Sequence, residues 1–138
     1  MPFLAEASIE IPTSPEVAFD KLIDFPSWDR WMPRSFQPAE RGAPLTLGAS
    51  VRVRIHGMPS KLTVSVLERP LTVAWRGGIG RLLFAEHAFR FEPKGKGTLV
   101  RSQEVWDGRL ASALRPFVKP GAERVGRQQL EALARALR

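Results

Sequence analysis

Apolar and polar side chains alternate along much of the chain, in short segments that are separated by glycine and proline. In the segment 3–11 every second residue is apolar and the residues between them are mostly polar. This alternation is typical of a strand with one buried face. The same pattern predicts further strands at 36–41, 50–56, 62–66, 71–76, 83–91 and 98–106. The segments between them predict turns, among them a flexible turn at 77–80 and a tight hairpin connection at 94–97.

Two short helices are predicted directly after the first strand. The segment 13–16 carries two alternative N-terminal signals, a Thr–Glu capping box and a serine that is followed by proline. The first helix ends before Pro26, because a residue that precedes proline avoids the helical region. The segment 26–33 forms a second short helix or a tight loop, and on a helix Trp28 and Trp31 share one face.

A long helix is predicted at the end of the chain, from about 109 to 138. In its second half, charged residues of alternating sign follow one another at i, i+4 spacing on one side, and apolar residues occupy the other side. Gly126 and Gln129 lie on the apolar side, so this side either contacts a sheet closely or borders a space into which an amide points. Pro116 and Pro120 each remove a helix hydrogen bond, and a kink or break is expected there.

These elements predict a single domain, 1–138, of the α+β class. Successive hairpins give an antiparallel sheet with one buried face. The long C-terminal helix is the only predicted element large enough to cover that face. The expected architecture is therefore a strongly curved antiparallel sheet around a long C-terminal helix, with two short helices after the first strand.

The composition excludes several classes of protein. The absence of cysteine excludes disulfides, thiolate catalysis and cysteine-ligated zinc. His56 and His87 have no metal-ligand spacing and no nucleotide-binding glycine motif is present, so neither a metal nor another cofactor is expected. No signal-peptide pattern or long apolar run is found, which predicts a cytoplasmic protein without integral membrane association. The net charge is +7, but the basic residues are scattered and match no nucleic-acid-binding motif, so no nucleic-acid partner is expected.

His87 is the first candidate for chemistry. It lies on the apolar face of its predicted strand, where an imidazole needs a polar partner. Glu104 lies at a matching distance from the connection 94–97, so the two side chains are expected to be cross-strand neighbours. Such a pair is a satisfied buried pair, a pair that polarises a ligand, or an oriented general base. A slip of the last strand by one residue would instead turn Arg101 and Gln103 inward and Glu104 outward.

Three segments carry a resemblance to a known superfamily: IPTSPEVAFDKLIDFPSWDRWMP, LERPLTVAWRGG and EHAFRFEPKGKGTLVRSQEVWDG. In their order and spacing, over essentially the whole chain, they resemble the SRPBCC (START-like, helix-grip) superfamily and its polyketide cyclase/dehydrase-like group. The resemblance implies a sheet of about seven strands that grips the long helix, with a cavity that often takes a small or mid-sized hydrophobic ligand. The superfamily includes lipid carriers, plant allergen-like binders, aromatic cyclases and chaperone activators, so the fold alone does not assign a function.

The favoured hypothesis is that the protein binds a small hydrophobic or aromatic molecule between sheet and helix, as a monomer or homodimer. The expected ligand-binding residues are Trp28, Trp31, Trp75, His87, Phe89, Glu104, Trp106, Phe117, Val125 and Gln129. The first alternative is a cyclase/dehydrase-like enzyme in which His87, assisted by Glu104, transfers a proton. The second alternative is a ligand-free interaction module, such as a chaperone activator, with a filled interior and an exposed apolar patch.

Overall fold

Seven antiparallel strands form one curled sheet in the computed structural model, which describes residues 2–138. The strands are β1 (Phe3–Ile11), β2 (Phe36–Pro38), β3 (Ser50–Ile55), β4 (Met58–Glu68), β5 (Thr72–Ile79), β6 (Leu83–Lys94) and β7 (Gly97–Asp107). Their order in the sheet is β1-β7-β6-β5-β4-β3-β2. From β2 to β7 each strand pairs with the next along the chain, and β1 pairs with β7.

The helices lie where the sequence places them. They are α1 (Pro15–Ile23), a 3₁₀ turn (Phe25–Ser27), α2 (Trp28–Trp31) and α3 (Ala111–Ala136). Ser14 caps α1, since its Oγ accepts a hydrogen bond of 3.3 Å from the Val17 amide. The serine signal is therefore the one that starts this helix. The α+β helix-grip fold is confirmed.

The second half of α3 buries the face that its periodicity predicts. Gly126, Gln129, Leu130 and Leu133 are buried, whereas Arg127 and the other charged residues of the solvent stripe remain largely exposed. Within the sheet, α3 packs mainly against β1 and β7. The helix therefore covers the inner face of the sheet at the edge where the first and last strands meet.

The expected kink or break at Pro116 and Pro120 is not observed as an interruption, because α3 runs continuously from 111 to 136. Both prolines are exposed. Solvent can therefore hydrogen-bond to backbone carbonyls that a proline ring deprives of a helix donor. Apart from Ala111, the buried residues of α3 lie from Gly126 onward, so an adjusted backbone at the prolines does not disturb the core.

The register of β6 and β7 decides which side chains of the last strand face inward. Lys94 pairs with Gly97, so only two residues connect the strands, and His87 pairs with Glu104. Ser102 is buried on the same face. The alternative register, with Arg101 and Gln103 pointing inward, is excluded.

The segment 77–80 differs from its prediction as a flexible turn, because β5 extends through Gly77, Gly78 and Ile79. Gly78 pairs with Phe84 on β6 and has a φ of 146°. A Cβ at this position would lie 2.4 Å from the Phe84 Cα. Glycine is needed here because the neighbouring strand passes too close for any side chain. The predicted strand 36–41 is also shorter than expected and ends at Pro38.

Candidate functional site

A pocket of about 280 Å³ lies between the inner face of the sheet and α3. Most of its wall is apolar. The principal side chains on the sheet side are Ile55, Leu62, Trp75, His87, Glu104 and Trp106. The helix side is formed by Val118, Gly121, Ala122, Val125 and Gln129. Within the described part of the chain, no lysine or arginine lines this pocket.

The two periodicities of the chain explain why these residues meet. Alternate residues of a strand point to the same face, which brings Glu104 and Trp106 to the inner face of β7. On α3 the lining residues recur three or four positions apart and so form one stripe. Gly121 and Ala122 lie in that stripe, and their small size leaves the space open.

Two hydrogen bonds and one ion-pair contact link His87, Glu104, Ser102 and Trp106 along the sheet side of the pocket. The Nδ1 of His87 lies 3.2 Å from Glu104 Oε2, and its Nε2 lies 2.6 Å from Ser102 Oγ. Trp106 Nε1 donates to Glu104 Oε1 at 2.6 Å. The side chain of His87 is 6% exposed and that of Glu104 is 18% exposed. Both ring nitrogens of His87 are thus engaged within the protein, and Glu104 is held from two sides.

The Ser102–His87–Glu104 order is that of a serine nucleophile, its base and an orienting acid. Here, however, Ser102 is buried and does not line the pocket. Gly126 of α3 lies directly over it, so that a Cβ at position 126 would be 2.9 Å from Ser102 Oγ. The helix therefore separates the hydroxyl from any molecule in the pocket. In this arrangement the polar contacts orient His87 and Glu104, and the Ser102 hydroxyl is not accessible as a nucleophile.

Aromatic contacts fix the plane of the His87 ring. Phe89 stacks on it with a centroid distance of 4.3 Å and an interplanar angle of 29°. Trp75 meets it edge to face, at 5.7 Å and 71°. A ring that packs against two aromatic side chains, with a hydrogen bond at Nε2 and a carboxylate close to Nδ1, has little freedom to reorient.

Gln129 is the polar residue on the helix side of the pocket. It is 2% exposed, and within residues 2–138 neither its Oε1 nor its Nε2 has a hydrogen-bond partner. A buried polar group without a partner costs about 1–3 kcal/mol. The residue borders the pocket, but its two polar atoms lie just behind the pocket wall, where both donor and acceptor are unused.

Six of the ten residues expected to bind a ligand border the pocket. They are Trp75, His87, Glu104, Trp106, Val125 and Gln129. Two others, Trp28 and Phe89, are 0% and 1% exposed and belong to the core instead. Trp28 donates from Nε1 to the Leu22 carbonyl at 2.8 Å and packs against Trp75 from behind the pocket. The indole is therefore satisfied inside the core, which is the structural role that paired tryptophans often have.

Trp31 and Phe117 also lie outside the pocket. Trp31 lines a separate surface depression of about 760 Å³, together with side chains that include Arg34 and Arg135. Phe117 is 79% exposed, because it precedes the pocket-facing stripe that starts at Val118 by about 100° of helix rotation. Both aromatic rings were expected to bind a ligand, but neither of them lines the pocket.

Several lining residues were not among those expected. Phe36, Ile55 and Leu62 line the pocket from β2, β3 and β4, and their inward phase was visible in the alternation of those strands. Gly77 and Gly78 border it because β5 continues where a turn was predicted. Strand alternation places Ser102 on the same inner face as Glu104, but its hydrogen bond to His87 also depends on the orientation of the imidazole ring.

The described residues contain no cluster of three or more His, Cys, Asp or Glu side chains that could hold a metal ion. None of the helices in residues 2–138 is both long and apolar enough to span a bilayer.

Solved structures with the same fold cover nearly the whole chain. The hypothetical protein jhp0584 from Helicobacter pylori has a TM-score of 0.79 at 18% identity, covering 99% of this chain and 88% of its own. MLL2253 from Mesorhizobium loti has a TM-score of 0.76 at 17% identity, covering 98% and 96%. The di-domain ARO/CYC protein BexL from the BE-7585A biosynthetic pathway has a TM-score of 0.74 at 14% identity, covering 99% and 50%. At these identities the similarity shows the fold alone.

A comparison with curated proteins finds no significant match. The family model described as polyketide cyclase / dehydrase and lipid transport matches residues 2–138. The match extends from the first strand to the end of α3 and so includes every element that lines the pocket. This chain therefore belongs to the polyketide cyclase/dehydrase and lipid transport family.

Proposed function

We propose that the protein binds a small apolar or aromatic molecule in the pocket between the sheet and α3. The family and the fold are compatible with this role, since ligand sites in proteins are concave and mostly apolar with a few placed polar groups. The volume of about 280 Å³ is close to the lower end of the usual range of about 300–1,000 Å³ for such sites. The ligand is accordingly small.

The observation that carries the proposal is the unpaired amide of Gln129. Buried side-chain amides in native proteins are nearly always hydrogen-bonded, because an unsatisfied group loses its hydration without compensation. Gln129 is 2% exposed, borders the pocket and has no protein partner for either polar atom in the described chain. A rotation of this side chain toward the pocket would let a ligand that offers both an acceptor and a donor satisfy the amide, and the amide would then orient the ligand.

The two alternatives have less support. Proton transfer by His87 would require a ring nitrogen that faces the pocket, whereas Nδ1 and Nε2 are both engaged with Glu104 and Ser102. A ligand-free interaction module is expected to fill its interior with side chains, but small residues such as Gly121 and Ala122 line this pocket. Ligand binding accounts for both the open space and the unpaired amide.

The first experiment is native mass spectrometry of the full chain, compared with its mass under denaturing conditions. We expect an excess mass that disappears on denaturation, and extraction into organic solvent would then identify the bound class. If the purified protein carries no excess mass, binding of naphthalene and 2-naphthol is measured by isothermal titration calorimetry. Failure to find a bound mass, together with failure of both probes to bind, would contradict the proposal.

Gln129→Leu tests the amide itself. Because leucine removes an unsatisfied buried group, we expect the free energy of unfolding of the empty protein to rise by about 1–3 kcal/mol. The affinity for the extracted ligand should fall, since its polar atoms lose their partner. Gln128→Leu is the matched control, because Gln128 accepts a hydrogen bond of 2.6 Å from Ser35 and does not line the pocket. The control should lose stability by about 1 kcal/mol and keep its affinity.

A further inference from the structure

Glu104 is the only acidic side chain among the described residues that line the pocket. A carboxylate has about four lone-pair positions on its two oxygens. One accepts a hydrogen bond from Trp106 Nε1 on Oε1, and His87 Nδ1 lies 3.2 Å from Oε2. The remaining positions are open to a molecule in the pocket, and they accept hydrogen bonds but cannot donate them while the group is ionised.

His87 cannot take this role, because its two nitrogens are engaged and its ring is held by Phe89 and Trp75. A neutral imidazole has one donor and one acceptor. With Nδ1 3.2 Å from the Glu104 carboxylate and Nε2 2.6 Å from the Ser102 hydroxyl, both nitrogens face protein groups. His87 is therefore a positioning residue that holds the carboxylate of Glu104 in place.

The charges around the pocket also restrict the ligand. The protein as a whole has a net charge of +7, which attracts anions to its surface. The pocket itself has no lysine or arginine among its described lining residues. His56 is the other histidine that borders the pocket. A bound carboxylate would lie in a mostly apolar space beside Glu104 without a lysine or arginine partner, and burial of a charge beside a like charge is strongly unfavourable.

The volume limits the size of the ligand. An apolar cavity of about 150 Å³ binds benzene. A pocket of about 280 Å³ is close to twice that volume and holds about two fused rings. Long acyl chains and multi-ring molecules would have to extend out of it into solvent.

From these observations we infer that the ligand is a neutral hydroxyaromatic molecule of one or two rings, whose hydroxyl donates to Glu104, and that the pocket rejects carboxylates of the same size. A second polar atom of the ligand, a carbonyl or a hydroxyl, pairs with the Gln129 amide once that side chain rotates toward the pocket from the opposite wall. The inference rests on the proposed function, since it names the class of molecule that occupies the same site.

Three probes of nearly equal shape test the inference in wild-type protein by isothermal titration calorimetry. They are naphthalene, 2-naphthol and 2-naphthoate, measured at about pH 8, where free imidazole is neutral. A hydrogen bond to an ionised acceptor is worth a factor of about ten to a hundred in affinity, so 2-naphthol should bind more tightly than naphthalene by that factor. The affinity for 2-naphthoate should be at least about tenfold lower than that for 2-naphthol.

Glu104→Gln should reverse the preference. The substitution keeps the shape of the side chain, and the new amide can accept from Trp106 and donate to His87 Nδ1 in its other tautomer. Removal of the negative charge should lower the affinity for 2-naphthol by about tenfold and raise the affinity for 2-naphthoate by about tenfold. Glu131→Gln removes the same charge from the exposed side of α3 and should leave all three affinities unchanged. Circular dichroism and a melting curve verify that both variants are folded.

The wild-type comparison is decisive even if Glu104→Gln does not fold. Binding of 2-naphthoate as tight as that of 2-naphthol would overturn the inference and leave the proposed function in place. Equal affinity for naphthalene and 2-naphthol, or recovery of a carboxylic acid from the purified protein, would do the same. If no bound mass is recovered and all three probes fail, the proposed function is itself overturned, and the inference with it.

Discussion

Glu86 and His87 are adjacent in sequence but have opposite surroundings, because successive side chains of a strand point to opposite faces. His87 lies on the covered face, with its hydrogen bonds made inside the protein. Glu86 lies on the outer face, where it accepts hydrogen bonds from Ser65 Oγ at 2.8 Å and Arg76 Nε at 2.9 Å. The hydrogen bond from Ser65 and the ion pair with Arg76 hold the pKa of Glu86 below its usual value, although partial burial acts in the opposite direction.

Glu86→Gln should therefore flatten the dependence of stability on pH in acid. Since the pKa of Glu86 is lower in the folded than in the unfolded chain, its stabilisation is present above the unfolded value and is lost as the pH falls through the folded value. Urea unfolding of wild type and variant between about pH 6 and pH 3 measures the difference. Glu131→Gln, on the exposed side of α3, is the charge-matched control. Identical slopes for wild type and Glu86→Gln would show that the outer-face contacts of Glu86 do not favour its ionised form.

The element that defines the pocket is α3, and its two internal glycines have different surroundings. At Gly126 a Cβ would lie 2.9 Å from Ser102 Oγ, so the helix approaches β7 closely there. At Gly121 a Cβ would meet nothing within 4 Å, because this residue borders the pocket. A single helix thus makes a tight contact with the sheet at one point and leaves open space about one turn earlier.

Alanine substitutions should separate these two roles. Alanine in a helix interior is favoured over glycine by about 1 kcal/mol, so Gly121→Ala should raise the free energy of unfolding by up to that amount. Gly126→Ala gains the same helix propensity, but it forces Ser102 or the helix to move, and such overpacking costs about 1–3 kcal/mol. Its net effect should be a loss of up to about 2 kcal/mol, measured by urea unfolding. If both variants were stabilised equally, close contact between Gly126 and Ser102 would not be a constraint on the fold.

On the scale of the whole molecule, the sheet pairs the first strand, β1, with the last strand, β7. Phe3 pairs with Trp106 and Ile11 pairs with Thr98, whereas all other neighbouring strands follow one another in sequence. Closing a long loop costs more chain entropy than closing a hairpin. We therefore expect the meander from β2 to β7 to form first in folding, with β1 added later.

Stopped-flow kinetics of two core variants test this order. Ile11→Ala in β1 and Leu62→Ala in β4 both truncate buried side chains and should each cost about 2–5 kcal/mol. If β1 docks late, Ile11→Ala should mainly accelerate unfolding, whereas Leu62→Ala should also slow folding. A larger decrease in the folding rate for Ile11→Ala than for Leu62→Ala would contradict this order.

The local pattern of the chain determined its elements and the faces that they bury. Alternation placed His87 on the covered face, and the short connection between Lys94 and Gly97 set Glu104 opposite it. Helical periodicity placed Gly126 and Gln129 on the buried face of α3. These features could be predicted because each depends on residues that are close in sequence or joined by a two-residue turn.

Tertiary structure decided what each of these residues contacts. Ser102 is hydrogen-bonded to Nε2 of His87. Glu104 is the acidic side chain that lines the pocket. Phe117 turns outward and Trp28 enters the core, although both were expected near a ligand. Such outcomes depend on how closely α3 approaches the sheet and on which side chains fill the space between them. The sequence by itself determined the fold and the inward residues through local periodicity, whereas the open pocket and the unpaired amide of Gln129 arise only when distant elements pack together.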